Sequence, residues 1–395
     1  MNFCSDNVAG ASPEIVQALS DANRGPAMPY GDDPLTERAI GRLRELFETD
    51  AEVLFLATGS SANALALSVM TPPYGAIYCH PESHVNADEC GAPEFFSGGA
   101  KLVPVLGANG KLTPDALEMA ITGAGVVHHT QPAAVSVTQV TEAGTLYTLA
   151  ELRAIADICK RHGLKLHMDG ARFANAVDAL GCSPADASHR LGVDALTFGA
   201  TKNGALCAEA VLFFDRELAS EAGYRRKRAG HLFSKMRFLS AQFDAYLKDD
   251  LWRRNAQHAN GMAKRLAEGL GEIEGILFEY PVEANELFPR LPLPMIDGLL
   301  EEGFLFYRWE PDGTLIRMVT AFDTDPAHVE AFLDVAHVRS VHPLSGRDVP
   351  VGAAGALCAG ALLEPLAAQP HPRVRAGLHR GRRGVQAKAS EAWAV

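Results

Sequence analysis

A chain of 395 residues with 47% hydrophobic content can bury a large core and is expected to divide into one large and one smaller domain. The formal charge of -12 excludes a phosphate-backbone partner, which needs clustered Lys and Arg, and leaves small molecules as the expected partners, with no nucleic acid. The seven cysteines are widely spaced with no C-x-x-C pair, the start "MNFCSDNVAG" lacks an export pattern, and the longest apolar run, "VGAAGALCAGALL", is too short for a bilayer. A cytoplasmic protein with reduced thiols and no membrane contact is expected.

Along the chain, short aliphatic runs alternate with helical periods. "EVLFLATGSSANALALSVM" predicts a strand at about Val53 to Leu56, a Gly/Ser turn and an apolar helix. "GAIYCHPESHVNADEC" predicts a strand entering a polar loop, and "AAVSVTQ" another strand. "TLAELRAIADICKRHG" opens with a T-x-x-E capping box, Thr148 and Glu151, and stops at Gly163 behind basic residues that suit a helix C-terminus. "LKLHMDGA", "DALTFGATK" and "AVLFFD" read as buried strands that each end at a turn. The alternation predicts an α/β fold with a mostly parallel sheet flanked by helices.

An amphipathic stretch from about Ser240 to Leu270 predicts the bridge to a smaller α/β domain ending near Val338. The expected division is a large domain over 1–245, a small C-terminal domain over 246–339, and a tail over 340–395. From Ser340 the chain is rich in Pro, Gly and Arg and carries seven basic residues against three acidic ones, a composition that predicts disorder.

Ligands of open α/β sheets sit beyond the carboxyl ends of the strands, so the residues there carry the most information. After Val53 to Leu56 comes "TGSSAN", which presents backbone N–H groups and hydroxyls at a helix N-terminus; it reads either as an N-cap with a glycine hinge or as an anion site. After Leu164 to Met168 comes Asp169, which reads as a turn cap or as the partner of a cation. After Ala195 to Phe198 comes Lys202, which reads as a loop lysine or as a nucleophile among the small residues Gly199, Ala200 and Gly204. Together, in this order on one sheet, the three meet the needs of pyridoxal 5'-phosphate. They offer a phosphate cradle, a carboxylate that keeps the pyridine nitrogen protonated, and an amine for a Schiff base.

Seven stretches extend this reading: "SDN" at Ser5 to Asn7, "YGDDPLTERA" from Tyr30, "TGSSAN", "SHVNADECGAPEFFSGGAKL" from Ser83, "HMDGARFANA" from His167, "TFGATKNGA" and "IRMVTAFDTD" from Ile316. From about residue 3 to about 338 the chain resembles the low-specificity L-threonine aldolases, members of the aspartate-aminotransferase-like (fold type I) pyridoxal-phosphate enzymes. The resemblance implies that Lys202 forms the Schiff base, that Asp169 partners the ring nitrogen, and that His84 lies over the ring. It further implies that Gly59 and Ser60 bind the phosphate, and that Ser5, Arg172 and Arg317 hold the substrate carboxylate, with Arg172 also among the cofactor contacts. Tyr30 would reach a neighbouring subunit's site and Arg237, in "SKMRF", would contact a neighbouring cofactor phosphate. A homotetramer built from dimers with shared active sites is implied as well.

The sequence departs from the family where Phe233, Ser234 and Lys235 replace the usual glycines before Arg237. It also departs in "TQVTEAGTLY", which puts Glu142 near the position where many members have a histidine. The implied activity is cleavage of L-threonine, L-allo-threonine and larger relatives such as phenylserine to glycine and an aldehyde, with His84, directly or through water, taking the β-hydroxyl proton. A β-eliminating lyase and a non-catalytic binding protein on the same scaffold are the alternative readings. No metal is expected.

Overall fold

The computed structural model describes residues 1–341. The tail expected over 340–395 falls, beyond residue 341, outside the described residues.

Seven strands form the main sheet: β1 (Glu52–Leu56), β2 (Gly75–Cys79), β3 (Lys101–Pro104), β4 (Gln131–Thr138), β5 (Lys165–Gly170), β6 (Ala195–Gly199) and β7 (Glu209–Phe213). Their order is β1-β7-β6-β5-β4-β2-β3. All pairings are parallel except those of β7, which runs antiparallel to β1 and β6. Every residue of β2, β6 and β7 is buried, which is why these strands read as continuous apolar runs. The edge strand β3 alternates no apolar face, and its outer residues are exposed, so no strand pattern is visible there.

Helices cover the sheet where the sequence expects them. Helix Leu149–His162 has the full capping box between Thr148 and Glu151 and ends at Gly163, whose φ of 67° is the left-handed cap. The amphipathic stretch Ser240–Leu270 differs from the expectation. It is two helices, Arg237–Leu247 and Leu251–Gly271, separated where Asp249 and Asp250 take φ of 52° and 54°. Short polar side chains tolerate that conformation, so the break needs neither Gly nor Pro and left no punctuation in the sequence.

A second core gathers Leu266, Leu270, Ile296, Phe304, Phe332 and, from the far end of the chain, Phe3. Around it lie β8 (Leu277–Phe278), β9 (Glu286–Leu287), β10 (Pro289–Arg290), β11 (Tyr307–Arg308) and β12 (Ile316–Val319); β8 pairs with β10, and the others form a sheet in the order β11-β12-β9. The N-terminus is tied into this smaller domain: Phe3 N–H donates to Leu305 O at 2.8 Å, and Val319 N–H donates to Phe3 O at 2.8 Å. That anchoring carries Cys4, Ser5 and Asp6 toward the ends of the main strands. Among the described residues no helix is long and apolar enough to cross a membrane.

Candidate active site

Three turns at the carboxyl ends of the main sheet meet. β1 leads through Thr58 into helix Gly59–Met70, whose N-cap hydroxyl accepts from Ser61 N–H. The N–H groups of Gly59 and Ser60 have no partner among the described residues, and a side chain added at Gly59 would meet nothing within 4 Å. One turn further, Asn63 Nδ2 donates to Asp169 Oδ2 and to Glu89 Oε1, both at 2.8 Å. Asp169 is the penultimate residue of β5, is 2% exposed, and also accepts from Ala171 N–H at 3.0 Å. Each of its oxygens keeps a further lone pair for a ring N–H.

Lys202 sits in a single helical turn, Thr201–Asn203, directly after β6. Its ammonium makes no hydrogen bond or ion pair among the described residues, although it lies close enough to Asp6, His84 and Glu209 to influence their protonation. The turn is fixed from below: Thr201 Oγ1 donates to Glu209 Oε1 at 2.5 Å and accepts from Ala208 N–H at 3.1 Å. Gly199 is required there, since a Cβ would stand 2.8 Å from Ala171 O and 3.0 Å from Glu209 Oε2. Burial pushes the Glu209 carboxyl up to about 7.

His84 opens the short helix His84–Ala87. Its Nδ1 lies 2.9 Å from Glu89 Oε1, and this hydrogen bond raises the imidazole pKa above its ordinary value. Its backbone N–H donates to Glu142 Oε1 at 2.8 Å. Glu142, partly buried, is pushed up to about 7 by desolvation first and by the Asp169 charge second. Glu89 is raised by burial as well. His84, Glu89, Asn63 and Asp169 therefore form one continuous chain of hydrogen bonds.

A second group of charges lies where the N-terminal segment, the turn after β5 and the small domain converge. Arg172 donates through Nε and Nη2 to Asp6 at 2.6 and 3.1 Å and holds Glu286 Oε2 at 3.2 Å from Nη1. Arg317, on β12, donates to Glu286 Oε1 and to Cys4 O, and its guanidinium stacks 5.4 Å from the Trp309 ring centre. Asp6 is 2% exposed; burial opposes its charge, yet Arg172 and Lys202 hold its carboxyl below the ordinary value. Ser5, beside it, caps the short turn Asp6–Val8 by accepting from Asn7 N–H.

Lys202, Asp169, His84, Gly59, Ser60, Ser5, Arg172 and Arg317 thus converge at one end of the sheet. Tyr30 and Arg237 do not join them within the chain. Tyr30 N–H donates to Ser234 O, Lys227 lies over its ring at 5.1 Å, and Arg237 donates to Gly25 O at 2.8 Å. The two residues belong to a separate surface formed by the segments near Gly25–Tyr30 and Lys227–Arg237. Within the chain the Nε/Nη2 edge of Arg172 is taken by Asp6, and its Nη1 lies 3.2 Å from Glu286 Oε2.

Asp6, Asn63, Glu89, Glu209 and Glu286 were not singled out from the sequence. Asp6, Asn63 and Glu89 lie inside stretches already marked as motifs. Glu209 carried its own signal, an acid at the head of the buried run "EAVLFF".

The residues fit pyridoxal phosphate. Among the described residues the Lys202 amine after β6 has no partner, the helix start at Gly59 and Ser60 offers N–H donors without partners beside open space, and the buried carboxylate of Asp169 has acceptor capacity left.

The beta-eliminating lyase family model matches residues 2–291. The chain is similar to a low specificity L-threonine aldolase of Pseudomonas aeruginosa, 48% identical over 82% of this chain and 93% of the relative. It is also similar to one of a Pseudomonas sp. strain, 44% identical over 86% and 97%. A solved structure of Leishmania major threonine aldolase superimposes with a TM-score of 0.81 at 33% identity, covering 86% of this chain and 99% of that one.

Proposed function

The chain belongs to the beta-eliminating lyase family and, within it, to the low-specificity L-threonine aldolases; from this premise we propose how its own residues carry out the cleavage of L-threonine to glycine and acetaldehyde. Pyridoxal phosphate, when bound, supplies an aldehyde carbon for an amine and a protonated ring into which an electron pair at Cα can delocalise.

Lys202 Nζ would hold the cofactor's aldehyde carbon, Asp169 the ring nitrogen with its proton, and the N–H groups of Gly59 and Ser60 the phosphate. Arg317, Arg172 and Ser5 would receive the substrate's α-carboxylate and so align the Cα–Cβ bond with the ring. With Nδ1–H donated to Glu89, the His84 imidazole presents Nε2 as the acceptor for the β-hydroxyl proton. The Cα–Cβ bond breaks with its electron pair staying on Cα, the β-carbon leaves as the aldehyde, and Cα takes up a proton to become glycine. The chemistry needs only the hydroxyl and the amine, so L-allo-threonine and phenylserine are further substrates. The surface bearing Tyr30 and Arg237 would complete a neighbouring subunit's site in a cytoplasmic homotetramer.

The observation that carries this reading is the Lys202 ammonium, which makes no hydrogen bond or ion pair among the described residues and sits directly after β6, close enough to His84 and Glu209 to influence their protonation. The test is product analysis with cofactor-loaded protein. L-Threonine and L-allo-threonine are expected to give glycine and acetaldehyde, and D-threonine nothing. Ammonia and 2-ketobutyrate without glycine would assign the chain to β-elimination instead.

A further inference from the structure

Glu286 occupies the place where a substrate carboxylate would be received. β9 pairs antiparallel with β12 so that Glu286 faces Val319 across the ladder. Arg317, two residues from Val319 on the same strand, shares its face of the sheet. The side chains of Glu286, Asp6, Arg172 and Arg317 are 0%, 1%, 7% and 15% exposed. Two cations and two anions thus close on one another with no net charge.

The four are not equivalent. Asp6 takes both hydrogen bonds of the Arg172 Nε/Nη2 edge and a further contact from Asn285 Nδ2 at 3.2 Å, so it fixes the arginine. Glu286 is held through Oε1 by Arg317, while its buried Oε2 lies near Arg172 Nη1 without a hydrogen bond. Its carboxylate touches both guanidinium groups, Arg317 at Oε1 and Arg172 Nη1 at Oε2, and it is backed by Gly144, where an added Cβ would lie 3.0 Å from Glu286 Cβ. A third carboxylate added to this buried quartet would leave an uncompensated negative charge.

We propose that Glu286 is an internal occupant of the carboxylate clamp and that the substrate's α-carboxylate binds by exchange with it, which makes Glu286 a specificity-determining residue that weakens binding of every carboxylate ligand. The inference rests on reading Arg172 and Arg317 as the clamp. Its consequence is a KM raised by the competition, with little bearing on the bond-breaking step once substrate is seated.

The experiment compares wild-type holoenzyme with Glu286→Gln, Glu286→Asp and Arg317→Gln, measuring KM and kcat for L-threonine and the inhibition constant of acetate. Glu286→Gln removes the charge and keeps the shape; it is expected to lower KM and the acetate constant about tenfold with kcat changed less than about threefold. Glu286→Asp withdraws the carboxylate by one methylene and is expected to lower both partway, which keeps the test open if the glutamine variant misfolds. Arg317→Gln is expected to raise KM. Glutamate variants that fold but leave KM and the acetate constant unchanged or higher, while Arg317→Gln raises KM, would overturn the exchange alone. An unchanged KM in Arg317→Gln would overturn the clamp reading beneath it.

Discussion

The proposed cofactor end of the site and its proposed carboxylate end are built in opposite ways. The first is made from three strand ends of one sheet: Gly59 after β1, Asp169 near the end of β5 and Lys202 after β6. Its key groups keep open valences, with free N–H donors at Gly59 and Ser60 and an unpaired ammonium at Lys202 among the described residues. The second is assembled from the N-terminus, the turn after β5 and two strands of the small domain, and its charges are spent on one another. A rigid sheet can hold unsatisfied groups for a ligand, because the backbone ladder already fixes them. A junction of separate segments needs the ion pairs themselves to hold it together, so function and stability are coupled there.

The comparison predicts different kinds of damage. Lys202→Ala removes the amine in the turn directly after β6. Turnover of L-threonine should fall by about 10³-fold or more while the unfolding temperature of the cofactor-free protein stays near wild type; a steady-state assay beside thermal denaturation checks both. Asp169→Asn keeps the size of the side chain and one of the two accepted contacts, from Asn63 or Ala171, but withdraws the negative charge, and kcat should fall by about 10²-fold. At the carboxylate end, Arg317→Leu strands Glu286 as a buried charge and should cost about 3 kcal/mol of stability in urea titration. The double variant Arg317→Leu with Glu286→Leu should recover most of that stability but not substrate binding. A double variant no more stable than Arg317→Leu alone would show that the pair is not coupled.

The smallest effect concerns Glu142, and here pH is the probe. Its folded-state pKa of about 7 lies above the ordinary 4.5, so the folded protein keeps a proton that the unfolded chain releases. Stability from this group therefore falls as pH rises from 4.5 through 7. Glu142→Gln should be no more stable than wild type near pH 4.5, gain on it as pH approaches 7, and hold that advantage above. Denaturant midpoints across this range measure the difference, and a gain that shrinks with rising pH would contradict the assignment.

The same contrast governs what the sequence disclosed. Strand ends are local, so Lys202, Asp169 and Gly59 were legible from apolar runs and the turns that stop them, and the capping box at Thr148 was legible for the same reason. Asp6 and Arg172 lie 166 positions apart, and Glu286 and Arg317 sit on different strands; nothing within a short window pairs them. Glu89 and Asn63 lay inside marked motifs, but their roles depend on sharing one amide with Asp169. The break at Asp249 and Asp250 escaped notice because aspartate can take a left-handed conformation without announcing it.

In the proposed mechanism Lys202 is the residue that engages the cofactor. Borohydride reduction of the cofactor-loaded protein, followed by proteolysis and mass analysis, should place a stable pyridoxyl adduct on the peptide containing Lys202 and abolish turnover in proportion to labelling. An adduct confined to any other lysine, or full activity after complete reduction, would contradict the account.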